Sequence, residues 1–350
     1  MTPFARTARV LEAALKSRAF SAVNAEVGSS GGVEWIYSAG RVSFDHDAPA
    51  VTERTIFDLA SLTKVLAAAS LASRLISDAR LDLDTRVATF LPGWTAVDRA
   101  AVTVRDLLEH SSGLPAYRPY FKTLSGRAAY QDAIAREPLE CEPRTAAIYS
   151  DLGFILLGFI LEDAGGAPLD AQVREWRHAE GLAEMLDFVP PDDCRSRIAS
   201  TGRDSWRGRV LQGEVHDANA AALGGIAAHA GLFGTAPAVG EIARWWLAGL
   251  TGLRPGPPAS FARRSTVPGS SRALGWDTML PTSSCGTRFS SSAIGHTGFT
   301  GTSLWIDPER DLYAVLLSNY VISARERETI RQVRRAFHDA VIDDRTDNQP

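Results

Sequence analysis

Strand-like runs stand at both ends of this chain with a long helical stretch between them, and that order leaves few ways of building a sheet. Near the N-terminus, AFSAVNAEVG (residues 19–28) and VEWIYSAGRVSF (33–44) are joined by Ser29-Ser30-Gly31-Gly32, residues suited to a tight hairpin. Further strand-like runs come late: ALGWDTM (273–279), TGTSLWID (300–307) and LYAVLLSNYV (312–321), the last two separated by the turn-forming Asp307-Pro308-Glu309-Arg310-Asp311. The middle is helical in pattern from about residue 61 to EIARWWLAGL near 250, and Pro92-Gly93, Gly113-Leu114-Pro115 and Pro190-Pro191 punctuate it. Residues 251–285 are rich in Gly, Pro and Ser and are expected to form a long surface loop. Amphipathic helices are expected at both termini, one carrying Val10, Leu11, Ala14 and Leu15 on a face and one over roughly 324–341, with the tail DDRTDNQP frayed.

This order implies an α+β fold in which one antiparallel sheet is assembled from both ends of the chain, with the terminal helices packed on it. Residues 1–80 and 251–345 are expected to form one discontinuous α/β region and residues 81–250 a mainly helical region. The groove between them is the expected place for a site.

Composition removes several classes of function. The net charge is −4 over 350 residues, and no basic block exceeds short stretches such as Arg263–Arg264, so a nucleic-acid partner is not expected. No apolar run is long enough for a membrane span. The N-terminal segment lacks the uninterrupted apolar core of an export signal, and the three cysteines (Cys141, Cys194, Cys285) are widely spaced with no metal-type pattern. A cytoplasmic location, no cofactor and a small-molecule or short-peptide substrate are the expectations.

Arginine dominates the cations: of 37 Lys and Arg residues only Lys16, Lys64 and Lys122 are lysines. Lys64 sits inside FDLASLTKVLAA (57–68), one helical turn after Ser61. Leu62, Val65, Leu66, Ala69, Ala72 and Ile76 share one helical face, and Ser61 and Lys64, about 60° apart around the axis, flank it. A serine in the first turn has its hydroxyl near the positive end of the helix dipole. Burial is expected to lower the lysine's pKa until it can accept that hydroxyl's proton, which an arginine could not do. Chance spacing in a serine-containing helix is the rival explanation.

Two further stretches bear on this. AIYSDLGFILLGFILEDAGG (147–166) places Tyr149-Ser150-Asp151 before an apolar helical run, and SAIGHTGFTGTSLWIDP (292–308) places His296-Thr297-Gly298 at the start of a strand. With Ser61-Leu62-Thr63-Lys64, these resemble the Ser-x-x-Lys, Tyr-x-Asn and Lys-Thr-Gly elements of the penicillin-recognising serine hydrolases, in that order. The chain is most similar to their class C β-lactamase, D-alanyl-D-alanine carboxypeptidase and esterase branch. DLLEHSSGLP, LDLDTRVATFLPGW, GLFGTAPAVGEIARWW and LGWD extend the resemblance over about residues 20–340.

The resemblance implies the β-lactamase/transpeptidase-like fold and catalysis through an acyl-serine. Ser61 is implied as nucleophile, Lys64 as a partner in removing its proton, and Tyr149 as sharing the base role and protonating the leaving group. The backbone N–H groups of Ser61 and Phe299 are implied as the oxyanion hole, and Asp151, His296, Thr297 and Gly298 as residues facing the substrate. Two departures matter. Asp151 stands in place of the family asparagine and is able to pair with Lys64 and hold it charged. His296 stands in place of a lysine that meets the substrate carboxylate in many members, which shifts expectation from β-lactams toward esters or other amides.

Other readings stay open. With the second and third motifs altered, a catalytically silent binder of peptides or muropeptides is one alternative. His216, Asp217 and His229 in EVHDANAAALGGIAAHAGLFG (214–234) raise a metal-dependent hydrolase as another, although no further ligand stands at customary spacing. The same stretch resembles relatives connected with muropeptide metabolism, which makes His216 or His229 a candidate for lining the groove and Asp217 a candidate helix cap. His110 is expected to support its loop, and His46, His178 and His338 to lie at the surface.

Overall fold

The structure, a computed structural model, describes residues 4–348. Strands β1 (Ala22–Ser29) and β2 (Gly32–Gly40) form the expected hairpin, after helix α1 (Ala5–Lys16). Five short strands follow: β3 (Phe57–Asp58), β4 (Leu186–Phe188), β5 (Gly202–Asp204), β6 (Arg209–Leu211) and β7 (Leu232–Gly234). The chain then adds β8 (Asp277–Thr278), β9 (Ile294–Thr297), β10 (Ser303–Asp307) and β11 (Leu312–Ser318). The main sheet has the order β2-β1-β11-β10-β9-β8 with every pairing antiparallel, and the neighbouring strands β1 and β11 come from opposite ends of the sequence. The small strands pair separately as β3-β7-β4 and β5-β6.

Both faces of the main sheet are covered, which explains why β11 reads as an unbroken apolar run. Leu312, Ala314 and Leu316 point into a core with Leu11, Phe337 and Val341 of the terminal helices, while Tyr313, Val315 and Leu317 point into the larger core that includes Val239, Ile242 and Ala243. These last three belong to a helix, Ala236–Leu250, that packs on the other face against β1, β10 and β11. The C-terminal helix runs over Arg327–Asn348, past the expected end near 341 and into the tail expected to fray.

Between the sheet strands lie α2 (Ser70–Ser77), α3 (Val104–Leu108), α4 (Arg127–Arg136), α5 (Asp151–Gly165), α6 (Leu169–Ala179), α7 (Ala218–Ala222) and the sheet-covering helix, α8; the C-terminal helix is α9. Helix α5 is apolar all round because residues Leu152 to Leu161 are all buried, at the centre of the helical block. Ser150 caps its start, its side chain accepting from the Gly153 N–H, and Gly166 ends it with φ 70°. Among the described residues no single helix is long and apolar enough to cross a membrane.

Two expectations require correction here. Residues 251–285 do not simply lie on the surface: Phe261, Ala273, Leu274, Trp276 and Cys285 are buried, and the Trp276 ring packs edge-on against Trp246 at 5.0 Å. Aromatic burial outweighs the Gly, Pro and Ser content that suggested solvent. His338 is also buried, within 3.0 Å of the Ser303 hydroxyl, because it faces the sheet from α9. His46 and His178 are exposed as expected.

Candidate active site

The serine-lysine segment is not a regular α-helix. It begins as a 3₁₀ turn at Ala60–Leu62, widens to a π-helical turn over Lys64–Ala69 and only then continues as α2. Single widened turns of this kind are rare within helices and frequent at functional sites. Ser70 fills the wider turn by donating its hydroxyl to the Val65 carbonyl at 3.0 Å, and Trp246 of α8 donates to Ser70. Ala60, just before the serine, adopts φ 47°, a left-handed conformation that costs an L-residue energy. The Asp58 carboxylate accepts from the Ala60 N–H at 2.8 Å and from the His216 N–H at 2.6 Å, and so braces that bend. Burial nevertheless pushes the Asp58 carboxyl up to about 6.

The Lys64 side chain is completely buried, and its three N–H donors are all used: to Ser61 Oγ at 3.0 Å, Asp151 Oδ1 at 2.7 Å and the His229 carbonyl at 3.0 Å. Here the expected pKa direction fails. Burial pulls the ammonium down, but the Asp151 carboxylate, with Tyr149 adding to it, outweighs burial and holds Lys64 above its ordinary value. The lysine is a cation at neutral pH, as the pairing with Asp151 allows.

Tyr149 and Asp151 reach this point because two loops are zipped together. The Ile148 N–H donates to the His110 carbonyl, the Ser150 N–H to His110 Nδ1 at 3.0 Å, and the Asp151 N–H to the Ala116 carbonyl. His110 also stacks on Tyr149, ring centroids 4.7 Å apart, and burial holds the imidazole neutral. The Lys64 ammonium lies 4.9 Å from the centre of the Tyr149 ring. Ser61, Tyr149 and Asp151 are each part-exposed, so the cluster has an open side.

The third stretch closes the site from β9. His296 is buried, 5.8 Å from Tyr149 ring to ring, and its Nδ1 lies 2.9 Å from the Thr297 carbonyl, which fixes the proton on that nitrogen. Burial and the cations Lys64 and Arg272 keep the ring neutral. Thr297 ends β9, part-exposed. Gly298 approaches the serine segment so closely that a Cβ there would lie 2.5 Å from the Leu59 carbonyl and 2.1 Å from the Thr302 hydroxyl. Thr300 and Thr302 donate to the Asp58 and Leu59 carbonyls, strapping the 298–302 turn to residues 58–60. Among the described residues, neither the Ser61 N–H nor the Phe299 N–H donates to a protein acceptor. The Phe299 ring is half-exposed, stacked on His216 at 5.5 Å with Arg327 over it.

One charged residue escaped the sequence reading. Arg272, from the segment taken for a surface loop, places its guanidinium 5.0 Å from the centre of the Tyr149 ring, with its side chain 21 % exposed. Nothing in its local sequence, SSRALGW, marks it.

The His216, Asp217 and His229 group is divided. Asp217 caps α7 by accepting from the Ala220 N–H at 2.7 Å and accepts from His229 Nε2 at 2.9 Å, while the His216 ring lies against Phe299. His229 and the Ala220 N–H together hold the Asp217 carboxyl down at about 2 despite its burial. Among the described residues no group of three or more His, Cys, Asp or Glu side chains is placed to hold a metal ion.

The geometry meets its relatives in the family comparison: the model of the β-lactamase family matches residues 17–338. The chain belongs to the β-lactamase family. A protein of Escherichia coli that carries the name of a D-alanyl-D-alanine carboxypeptidase is 34 % identical over 307 residues, covering 77 % of this chain and 70 % of that one. Among solved structures, EstCE1, a hydrolase with promiscuous acyltransferase activity, superposes with a TM-score of 0.76 at 21 % identity over 96 % of this chain and 97 % of that chain. A class C β-lactamase from Rhodobacter sphaeroides gives 0.75 at 21 % over 96 % and 98 %. At that identity these two establish the β-lactamase/transpeptidase-like fold, while the family membership makes the chain a serine hydrolase.

Proposed function

We propose that this β-lactamase-family enzyme forms an acyl-enzyme at Ser61 on small amide or ester substrates, with Tyr149, and not Lys64, as the group through which the serine proton leaves. The observation that carries this reading is the saturation of the Lys64 ammonium. All three of its donors point at oxygens, one of them Ser61 Oγ. Ser61 therefore receives a hydrogen bond from the lysine and keeps its own proton for another acceptor. Tyr149 is the hydroxyl-bearing side chain of the same cluster, its ring 4.9 Å from the Lys64 ammonium and 5.0 Å from the Arg272 guanidinium.

In this reading the Ser61 O–H bond breaks toward Tyr149 as Oγ bonds the carbonyl carbon. The Ser61 and Phe299 N–H groups receive the oxyanion. The carbonyl-to-leaving-group bond then breaks, with Tyr149 returning the proton to the leaving group, and water cleaves the acyl ester. Treatment with a fluorophosphonate followed by intact-mass measurement is expected to add one adduct per chain, mapping to Ser61. No adduct on Ser61 under conditions that label a control serine hydrolase would support the silent-binder alternative instead.

Arg272 bears on substrate class. His296, buried and neutral, is a poor partner for a carboxylate, which favours neutral short-chain aryl esters over a chromogenic cephalosporin. Arg272 remains as the part-exposed cation beside Tyr149 and favours a second reading, in which the carboxylate of a D-alanyl peptide, the substrate type in the E. coli relative's name, is met there. Substitution Arg272→Ala is expected to lower kcat/KM for carboxylate-bearing substrates about tenfold more than for a neutral ester. An equal effect on both would remove Arg272 from substrate recognition.

A further inference from the structure

The turn that carries the Phe299 N–H is held from behind by a buried cation. Arg334 lies on α9, in the last part of the chain, and is 8 % exposed. Its Nη2 donates to the Gly298 carbonyl at 2.6 Å and to the Thr302 carbonyl at 2.9 Å. Its Nε is buried without a partner, and no carboxylate acts on its charge among the described residues. A desolvated arginine without a counter-ion is expensive to keep, and for a merely structural peg an uncharged donor would suffice.

The geometry explains what the charge gains. The carbonyl of Gly298 and the N–H of Phe299 belong to one peptide unit, and among the described residues there is no cis peptide bond. In a trans peptide the C=O and N–H point in opposite directions and are coupled by resonance. A guanidinium on the carbonyl therefore does two things to the N–H on the far side. It fixes the direction in which that N–H points, and by drawing electron density toward the oxygen it makes the N–H a stronger donor. The Gly301 N–H adds a second bond to the same carbonyl, at 3.2 Å. On the opposite side, Gly298 packs against Leu59 and Ala60, next to Ser61, where the Phe299 N–H has no protein acceptor.

We propose that Arg334 is a positioning residue for the oxyanion hole: through the Gly298–Phe299 peptide it orients and polarises the N–H that receives the developing negative charge on the substrate oxygen. The inference rests on the acyl-serine reading above and deepens it, since it assigns to the C-terminal helix a part in the chemistry without contact with substrate. The charge also stands behind the site as a fixed positive field in a poorly solvated region, where it acts more strongly than a surface cation.

The test compares Arg334→Met and Arg334→Lys with the parent enzyme, with a neutral aryl ester as substrate and well below each variant's unfolding temperature. The parent must first acylate at Ser61, which checks the underlying reading separately. Arg334→Met is then expected to lower kcat about tenfold or more with KM changed less than about threefold. Its acyl-enzyme carbonyl stretch in the infrared should move to higher frequency, because the carbonyl is less strongly hydrogen-bonded. Arg334→Lys, which keeps the charge and a donor, should recover most of the loss. Should Arg334→Met not fold, Arg334→Gln, which keeps a donor and loses the charge, takes its place with the same expected fall in kcat at little-changed KM and the same displaced carbonyl band. An unchanged kcat and carbonyl band in the folded uncharged variant, in an enzyme that does acylate at Ser61, would overturn the proposal while leaving the acyl-serine reading intact.

Discussion

Asp151 is the residue on which the proton chemistry turns. An amide at this position, the family pattern, would give Lys64 a neutral partner; the carboxylate at 2.7 Å gives it a charged one and keeps the ammonium protonated. The sign of the linkage follows from the raised lysine. Its pairing stabilises the fold fully below the ordinary lysine pKa and is lost as pH rises through the higher folded value. Asp151→Asn removes the largest of the groups that raise it. The variant is expected to lose on the order of 1–3 kcal/mol of stability at neutral pH, read by denaturant unfolding. Its alkaline limb of kcat/KM against pH should also move to lower pH, because the Lys64 ammonium that donates to Ser61 Oγ is lost sooner. If Lys64 were itself the base, the substitution would instead extend the ascending limb to lower pH and raise neutral-pH activity, which is the opposite outcome.

At the scale of elements, the sequence was most informative where one periodicity served one face. The β1–β2 hairpin, the late strands and the terminal helices were legible because alternation, turn residues and amphipathic spacing agree there. The serine-lysine segment was legible as helical but not as a widened turn, since Ser70 reaching back to Val65 and Trp246 reaching Ser70 are tertiary contacts with no local pattern. Residues 251–285 misled for the same reason. Their Gly, Pro and Ser content describes the backbone, while Trp276 and Arg272 are fixed by partners far away in sequence. Of the site, the motif residues could be found by eye. Arg272 and Arg334 could not, in a chain where nearly every cation is arginine, and the direction of the Lys64 shift could not, because burial and a partner carboxylate oppose each other and only distance decides between them.

Over the whole molecule, the arrangement is a sheet in which the paired strands β1 and β11 come from opposite ends of the chain, with α8 on one face and the terminal helices on the other. The sheet brings β9 and the 298–302 turn beside residues 58–64, and the helical block delivers Tyr149 and Asp151 to the same point. The parts of the proposed centre thus come from three stretches more than eighty residues apart, and they have a common purpose only if Ser61 is acylated. Rapid quenching of aryl-ester turnover, with intact-mass measurement and peptide mapping, tests this directly. The parent enzyme is expected to carry the acyl group on Ser61 within its first turnover, and Tyr149→Phe to form it about a hundredfold or more slowly. Turnover without acyl on Ser61, or acylation of Tyr149→Phe at the parent rate, would contradict the account.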